Sequence, residues 1–266
     1  MSASHANGHG LGPRACLLKA DGTNCEHETA HALRLVGARP EIVPMNQLRA
    51  RERRLADYDL LVVPGGFSYG DDVGAGKVMA VELMSFLADE MAEFMAAGKP
   101  MLGICNGFQV LVRTGLLPFG DLGSGAATLG DNLSGRYECR WVRMAAESDT
   151  RAAFLHELPA QMEMPMAHGE GRFWADEATL ARIEAEGLVA LRYVDTSGKP
   201  THDYPANPNG ALHAIAGVCD PSGRVLGLMP HPERFIEDFH HPAWRSRPSG
   251  RTPDGLAFLR AFVATA

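Results

Sequence analysis

The stretch Leu102-Gly103-Ile104-Cys105-Asn106-Gly107-Phe108-Gln109 most narrows what this chain can fold into. An apolar run over residues 99–104 reads as a buried strand and stops at a cysteine, and an amphipathic helix follows at once, from Gly107 to about Thr114. A strand that turns straight into a helix through a G-x-C-x-G frame is the thiol form of the nucleophile elbow, whose tight turn lifts one side chain above the sheet edge. Gly103 and Gly107 suit that turn because a β-carbon at either place would crowd the neighbouring backbone. Cys105 would then stand at a helix N-terminus, where unpaired N–H groups and the helix dipole favour negative charge. An isolated cysteine at a strand end is more often packing than chemistry, so the elbow needs partners.

Partners occur far along the chain. Arg224-Val225-Leu226-Gly227-Leu228-Met229-Pro230 reads as another apolar strand and runs directly into His231-Pro232-Glu233-Arg234. A nucleophilic thiol needs a base, and the base needs a third group to fix its tautomer and orientation. His231 and Glu233 are two residues apart, so in an extended segment both would point toward the mouth of a site at the sheet edge. Singly, each has an ordinary reading, a loop histidine and a solvated carboxylate. Beside the elbow that reading is the weaker one. A third segment, Pro64-Gly65-Gly66-Phe67-Ser68-Tyr69-Gly70-Asp71-Asp72, follows the apolar run 60–63. A glycine pair after a strand lets the backbone approach a ligand and aim N–H groups at it, as an acyl-transfer oxyanion requires. A phosphate loop would need G-x-x-x-x-G-K-[ST], and here Val78 follows Gly76-Lys77.

Strand-like and helix-like runs alternate through the first half. Strands are expected at 15–19, 41–43 and 60–63, and helices at 25–36, ended by Gly37, and at 81–97. In the second helix Met84, Leu87, Met91, Phe94 and Met95 make an apolar stripe for the core, with Gly98 just beyond. This pattern implies an α/β fold, a mostly parallel sheet flanked by helices with the site at the carboxyl ends of its strands. After about residue 125 the runs at 137–144, 188–194 and 212–218 alternate instead, and Asp220-Pro221-Ser222-Gly223 makes a turn before the strand leading to His231. Antiparallel strands appended to the parallel sheet are expected there. A last helix should start at Thr252-Pro253-Asp254, with Thr252 as N-cap and Pro253 at the first helical position. No repeat or linker interrupts the pattern, so one domain is expected over residues 14–266, behind a disordered, glycine-rich tail at 1–13. His5 and His9 in that tail read as solvated rather than as metal ligands.

The 266 residues are 45% hydrophobic, ample for a full core, and carry a formal net charge of −7. No basic surface points to nucleic acid or an anionic membrane. No apolar run is long enough to span a bilayer, and the first residues lack the regions of a signal peptide, so a cytoplasmic location is expected. Five scattered cysteines without C-x-x-C suit a reducing compartment and argue against a disulfide framework and a zinc site; no metal is expected. Cys16, Cys139 and Cys219 lie in strand-like runs and read as core. Cys25 is the one rival nucleophile, at a helix start with Thr23 or Asn24 as cap, but it lacks the G-x-C-x-G frame and ranks behind Cys105.

Together P-G-G-F-S-Y-G-D, G-I-C-N-G-F-Q and M-P-H-P-E-R resemble the class I, or triad, glutamine amidotransferases, which have a flavodoxin-like α/β fold. Three further segments, Asn132-Leu133-Ser134-Gly135-Arg136-Tyr137-Glu138, Pro165-Met166-Ala167-His168-Gly169-Glu170-Gly171-Arg172-Phe173 and Tyr204-Pro205-Ala206-Asn207-Pro208-Asn209-Gly210, are similar to the glutaminase part of phosphoribosylformylglycinamidine synthase. The resemblance covers residues 14–265. It implies that Cys105 attacks the glutamine side-chain amide, that His231 moves the protons and that Glu233 orients it. It further implies oxyanion donors at the backbone N–H groups of Gly66 and Asn106, and a glutamine pocket lined by Gln109, His168 and Gly169. The ammonia would pass to a separate synthetase subunit that uses ATP and Mg to convert formylglycinamide ribonucleotide to formylglycinamidine ribonucleotide, often with a small third subunit; the chain itself would hold no cofactor. Two alternatives stay open, a glutaminase subunit serving another synthetase and a non-catalytic regulatory subunit on the same fold.

Overall fold

The structure is a computed structural model that describes residues 12–247 and 250–266. In order, the chain forms β1 (Arg14–Lys19), α1 (Glu26–Leu35), β2 (Arg39–Pro44), α2 (Met45–Arg49), β3 (Leu60–Val63), α3 (Lys77–Phe86), α4 (Ala88–Ala96), β4 (Met101–Ile104) and α5 (Asn106–Arg113). There follow β5 (Thr128–Asp131), β6 (Glu138–Ala146), β7 (Met162–His168), β8 (Glu170–Trp174), α6 (Glu177–Ala185), β9 (Val189–Tyr193), β10 (Ile215–Cys219), β11 (Val225–Leu228) and α7 (Asp254–Val263). The tail expected at 1–13, with His5 and His9, lies outside the described residues except for Gly12 and Pro13. Those two are held rather than loose: Arg39 donates from its backbone N–H to the Pro13 carbonyl (2.8 Å) and from Nε to the Gly12 carbonyl (2.7 Å).

Nine strands form one sheet in the order β2-β1-β3-β4-β11-β10-β9-β6-β7. The first five are parallel and the remaining pairings antiparallel, as the change in sequence pattern near residue 125 implies. Every residue of β3, β4 and β11 is buried, which is why these strands read as continuous apolar runs rather than alternating ones. Pairing β11 beside β4 is the step that matters for function. Register Leu228 to Ile104 brings the segment after β11 next to the elbow after β4, although the two are far apart in sequence.

Local expectations fail in four places. The helix expected at 81–97 is two helices, α3 and α4, because Leu87 (φ −130°, ψ 9°) leaves the helical region to bury its side chain. Asp89 and Glu90 then sit in the first turn of α4, where the dipole favours them. Cys25 itself is the N-cap of α1, since Thr23 Oγ1 accepts from the Ala20 N–H and Asn24 Oδ1 from the Cys25 thiol. The last helix starts at Asp254 with Pro253 as N-cap, and Thr252 gives no capping bond. Cys139 is exposed, because the period of β6 turns Glu138, Val142 and Met144 inward and Cys139 outward.

Candidate active site

The elbow forms as the sequence demands. Cys105 has φ 51° and ψ −106°, a region that costs a non-glycine residue about 1–3 kcal/mol and persists only when its surroundings enforce it. The enforcement is visible: its N–H donates to the Leu228 carbonyl of β11 (2.8 Å), and its carbonyl accepts from the Gln109 N–H of α5 (3.1 Å). A β-carbon at Gly107 would fall 1.9 Å from the Val63 carbonyl oxygen, and one at Gly103 would fall 2.7 Å from the Gly107 carbonyl oxygen. Both glycines are therefore what lets α5 lie close on the sheet. Cys105 is buried, with Sγ 3.6 Å from the Ala167 carbonyl oxygen.

His231 is extended (φ −106°, ψ 96°), but Pro232 to Arg234 form a 3₁₀ turn, so the pair meets by a turn and not along an extended strand. His231 Nδ1 donates to Glu233 Oε1 at 2.6 Å, with both residues buried. The His231 N–H is anchored to the Pro165 carbonyl (2.8 Å). Burial opposes charge on this ring, but the Glu233 carboxylate and then Cys105 outweigh it and hold the imidazole well above its ordinary range. Nε2 is buried without a hydrogen-bond partner, and the Cys105 and Cys25 thiols both lie close enough to act on the ring. Catalytic pairs are often this loose before substrate tightens them.

The loop after β3 is held on both sides. Phe67 and Tyr69 donate from their N–H groups to the carbonyls of Gly22 (3.0 Å) and Asp21 (2.7 Å). From the other side Asn106 Oδ1 accepts the Ser68 N–H (3.2 Å), and Asn106 Nδ2 donates to Asp71 Oδ1 (3.2 Å) and Gln109 Oε1 (3.0 Å). Sequence reading singles out only the Asn106 backbone, yet its side chain ties this loop to the elbow. Gly66, at φ 142°, could not carry a β-carbon, which would fall 2.7 Å from the Asn24 nitrogen. If this loop carries the oxyanion donors that the resemblance implies, Asn106→Ala is expected to loosen them and to lower kcat for glutamine about 100-fold with a smaller change in KM. Steady-state kinetics check this, and an unchanged kcat would remove Asn106 as a positioning residue.

Cys105, Gly66, Gln109, His168 and Gly169 all border one cavity of about 240 Å³. Its mouth carries Phe67 stacked on Tyr137 (centroids 6.4 Å apart), both partly exposed. Asp71 and Glu170, which motif reasoning leaves out, also line it. The Asp71 carboxyl accepts from Asn106 Nδ2 and the Gly76 N–H, and the Glu170 carboxylate from the Ala75 N–H beside Arg113. Burial, and behind it Glu170, pushes the Asp71 carboxyl above its usual range. Not every expected pocket residue offers its side chain. The Gln109 amide is engaged by the Glu170 carbonyl and Asn106, bracing α5 to β8. The His168 ring is turned inward, with Nδ1 3.1 Å from Asn132 Oδ1, and burial pushes it down to about 3, so it is neutral. A larger cavity of about 310 Å³ is lined in part by Lys19, Arg49, Tyr69 and Glu82, and these four side chains are paired with one another or with Glu26.

Cys25 is the residue whose place the sequence does not foretell. The Arg234 guanidinium donates to its Sγ (3.1 Å), and its sulfur, a His231 ring nitrogen and a Glu233 oxygen all lie within 4.8 Å of one another. No motif spacing links position 25 to position 231. The only signal was the helix start shared with the elbow.

Residues 12–263 match the family model described as the CobB/CobQ-like glutamine amidotransferase domain. The chain is 43% identical over 236 residues to phosphoribosylformylglycinamidine synthase subunit PurQ of Methanococcus maripaludis, a match spanning 88% of this chain and 86% of that one. It is 46% identical over 240 residues to the subunit of the same name from Treponema denticola, spanning 84% and 88%. Among solved structures, a chain of PurLQS from Thermotoga maritima matches with a TM-score of 0.71 at 32% identity, across 96% of this chain and 99% of that one. The glutaminase domain of Trypanosoma brucei CTPS, bound to acivicin, shares the fold at a TM-score of 0.56 and 15% identity, across 94% and 93%.

Proposed function

This chain belongs to the CobB/CobQ-like glutamine amidotransferases and, within them, to the PurQ subunits of phosphoribosylformylglycinamidine synthase in purine biosynthesis, and from that premise we propose that Cys105, His231 and Glu233 carry its glutaminase chemistry. One observation carries the proposal: a buried cysteine held at positive φ on an elbow, near enough to a buried histidine to act on its ring, and that histidine bound through Nδ1 to a buried glutamate at 2.6 Å. The Cys105 proton passes to His231 Nε2, and Sγ attacks the side-chain amide carbon of glutamine. Charge develops on the amide oxygen, where the N–H groups of Gly66 and Asn106 are the donors. The carbon–nitrogen bond breaks as His231 returns its proton to the leaving nitrogen, giving ammonia and a glutamyl thioester. Water then attacks the thioester with His231 as base, releasing glutamate and the thiol. The Asp71 and Glu170 carboxylates at the cavity suit the ammonium end of the amino acid.

Ammonia that reaches bulk water is protonated and loses its nucleophilic lone pair, so the acceptor site must be docked against this protein. A synthetase subunit using ATP and Mg, with a small third subunit, fills that role in this proposal, supported by the likeness to a chain of PurLQS. The exposed Phe67–Tyr137 pair at the mouth offers apolar surface for such docking. The purified chain is expected to be a poor glutaminase, activated about tenfold or more by the synthetase partner with acceptor and nucleotide bound, because docking completes the donor geometry and so raises turnover more than affinity. The measurement is glutamate production by the chain alone and with saturating partner. Equal turnover in both states would instead favour a free-standing amidase.

A further inference from the structure

We propose that Cys25, His231 and Glu233 form a site for a thiophilic divalent cation, Zn²⁺ fitting it well, whose occupancy disables the catalytic base. The proposal rests on the reading of His231 as that base. Three donors from two distant parts of the chain, a thiol sulfur, an imidazole nitrogen and a carboxylate oxygen, converge within 4.8 Å, all on buried residues. A sulfur, nitrogen and oxygen set is the kind that zinc selects over magnesium or calcium. The second Glu233 oxygen, Oε2, is buried without a hydrogen-bond partner, so the carboxylate has a free donor atom in the cluster. Gly65 presents no side chain to this edge: a β-carbon there would fall 2.8 Å from His231 Cε1 and 3.2 Å from Cys25 Sγ. Thiolate and carboxylate together would neutralise a divalent ion.

Inhibition follows from distances. Ligand atoms around a tetrahedral zinc lie about 3.3–3.8 Å apart, given bonds of about 2.0–2.3 Å. The Nδ1 to Oε1 contact of 2.6 Å must therefore open before both groups can bind one ion. The Cys25 thiol proton leaves to solvent and Nδ1 gives up its own, leaving the ring's one proton on Nε2. The metal then takes Nδ1 and a Glu233 oxygen, and Nε2 can no longer accept the Cys105 proton. The Cys105 sulfur is not one of the three donors.

Binding is tested on the purified full chain with Co²⁺ as a visible probe and Zn²⁺ as competitor, with the exposed thiol removed beforehand by Cys139→Ser. A thiolate-to-cobalt absorption is expected, and it should survive Cys105→Ala. Cys25→Ser and Cys25→Ala should abolish it and weaken Zn²⁺ binding by about 100-fold or more, since losing even an outer partner of a ligand costs 10–100-fold. Glutaminase activity should fall about tenfold or more at saturating Zn²⁺, recover with a chelator, and be insensitive to the ion in Cys25→Ser. A cobalt band that persists in both Cys25 variants, or disappears in Cys105→Ala, would overturn the site. Should both Cys25 variants misfold, X-ray absorption of the Zn²⁺-loaded Cys105→Ala chain still decides, because a spectrum without sulfur at about 2.3 Å would exclude a Cys25 ligand. A chain that hydrolyses no glutamine would defeat the functional reading alone, as the cobalt titration needs no activity.

Discussion

Cys105→Ala is expected to abolish glutamine-dependent synthesis while leaving ammonia-dependent synthesis by the assembled complex intact. The thiol serves only amide cleavage, a step that free ammonia bypasses. With the nucleophile gone, oxyanion donors and binding groups alone sustain at most a small residue of hydrolysis, and the loss should be on the order of 10⁵-fold. The structure makes the substitution a clean one. Cys105 holds its strained backbone through main-chain bonds to Leu228 and Gln109, which alanine keeps. Two measurements check the result: glutamate release by the purified chain, and product formation by the complex supplied with ammonium. Mass spectrometry after treatment with a glutamine-like electrophile should show one adduct, on Cys105. Hydrolysis persisting in the variant would transfer the nucleophile's role to Cys25, which also reaches the His231 ring.

The parts of this site that a sequence can announce are those fixed by short-range sterics. Gly103 and Gly107 bracket Cys105 because two backbones pass within a β-carbon's reach, and that need is written in adjacent positions. The parallel half of the sheet was legible for a similar reason, since strands buried on both faces must be apolar throughout. What the chain's order hides is lateral pairing. Nothing local to 225–228 says that β11 inserts between β4 and β10, though that insertion is what delivers His231 to the elbow. The resemblance supplied the pairing of motifs, not the physics of the register. Side-chain networks were hidden further. The Asn106 amide clasping Ser68 and Asp71, and His168 turned inward to Asn132, depend on three or four segments meeting, and no spacing encodes them. Caps and helix breaks failed where side chains had other partners, as Thr23 does with the Ala20 N–H.

His231→Ala and Glu233→Gln should differ in both size and kind. Removing the base leaves no group to take the thiol proton or return it to the leaving nitrogen, and the expected loss in kcat is about 10⁵-fold. Removing the carboxylate leaves an imidazole that still transfers protons while badly oriented, and the expected loss is about 10³-fold. The second variant should also move the pH profile. Burial alone would drive the His231 ring toward its neutral form, and the Glu233 carboxylate is the foremost group opposing that. A raised value holds on the ring the proton taken from Cys105, the same proton later returned to the leaving nitrogen, so activity is lost as pH climbs through it. Without the Glu233 charge the value falls, so the alkaline limb of kcat/KM should shift toward lower pH, as a property of the coupled pair with Cys105. Rates across pH for the parent chain and Glu233→Gln provide the measurement. An equal loss in both variants would show that Glu233 does more than orient the ring, and an alkaline limb that stays in place would show that its charge is not what holds the imidazolium.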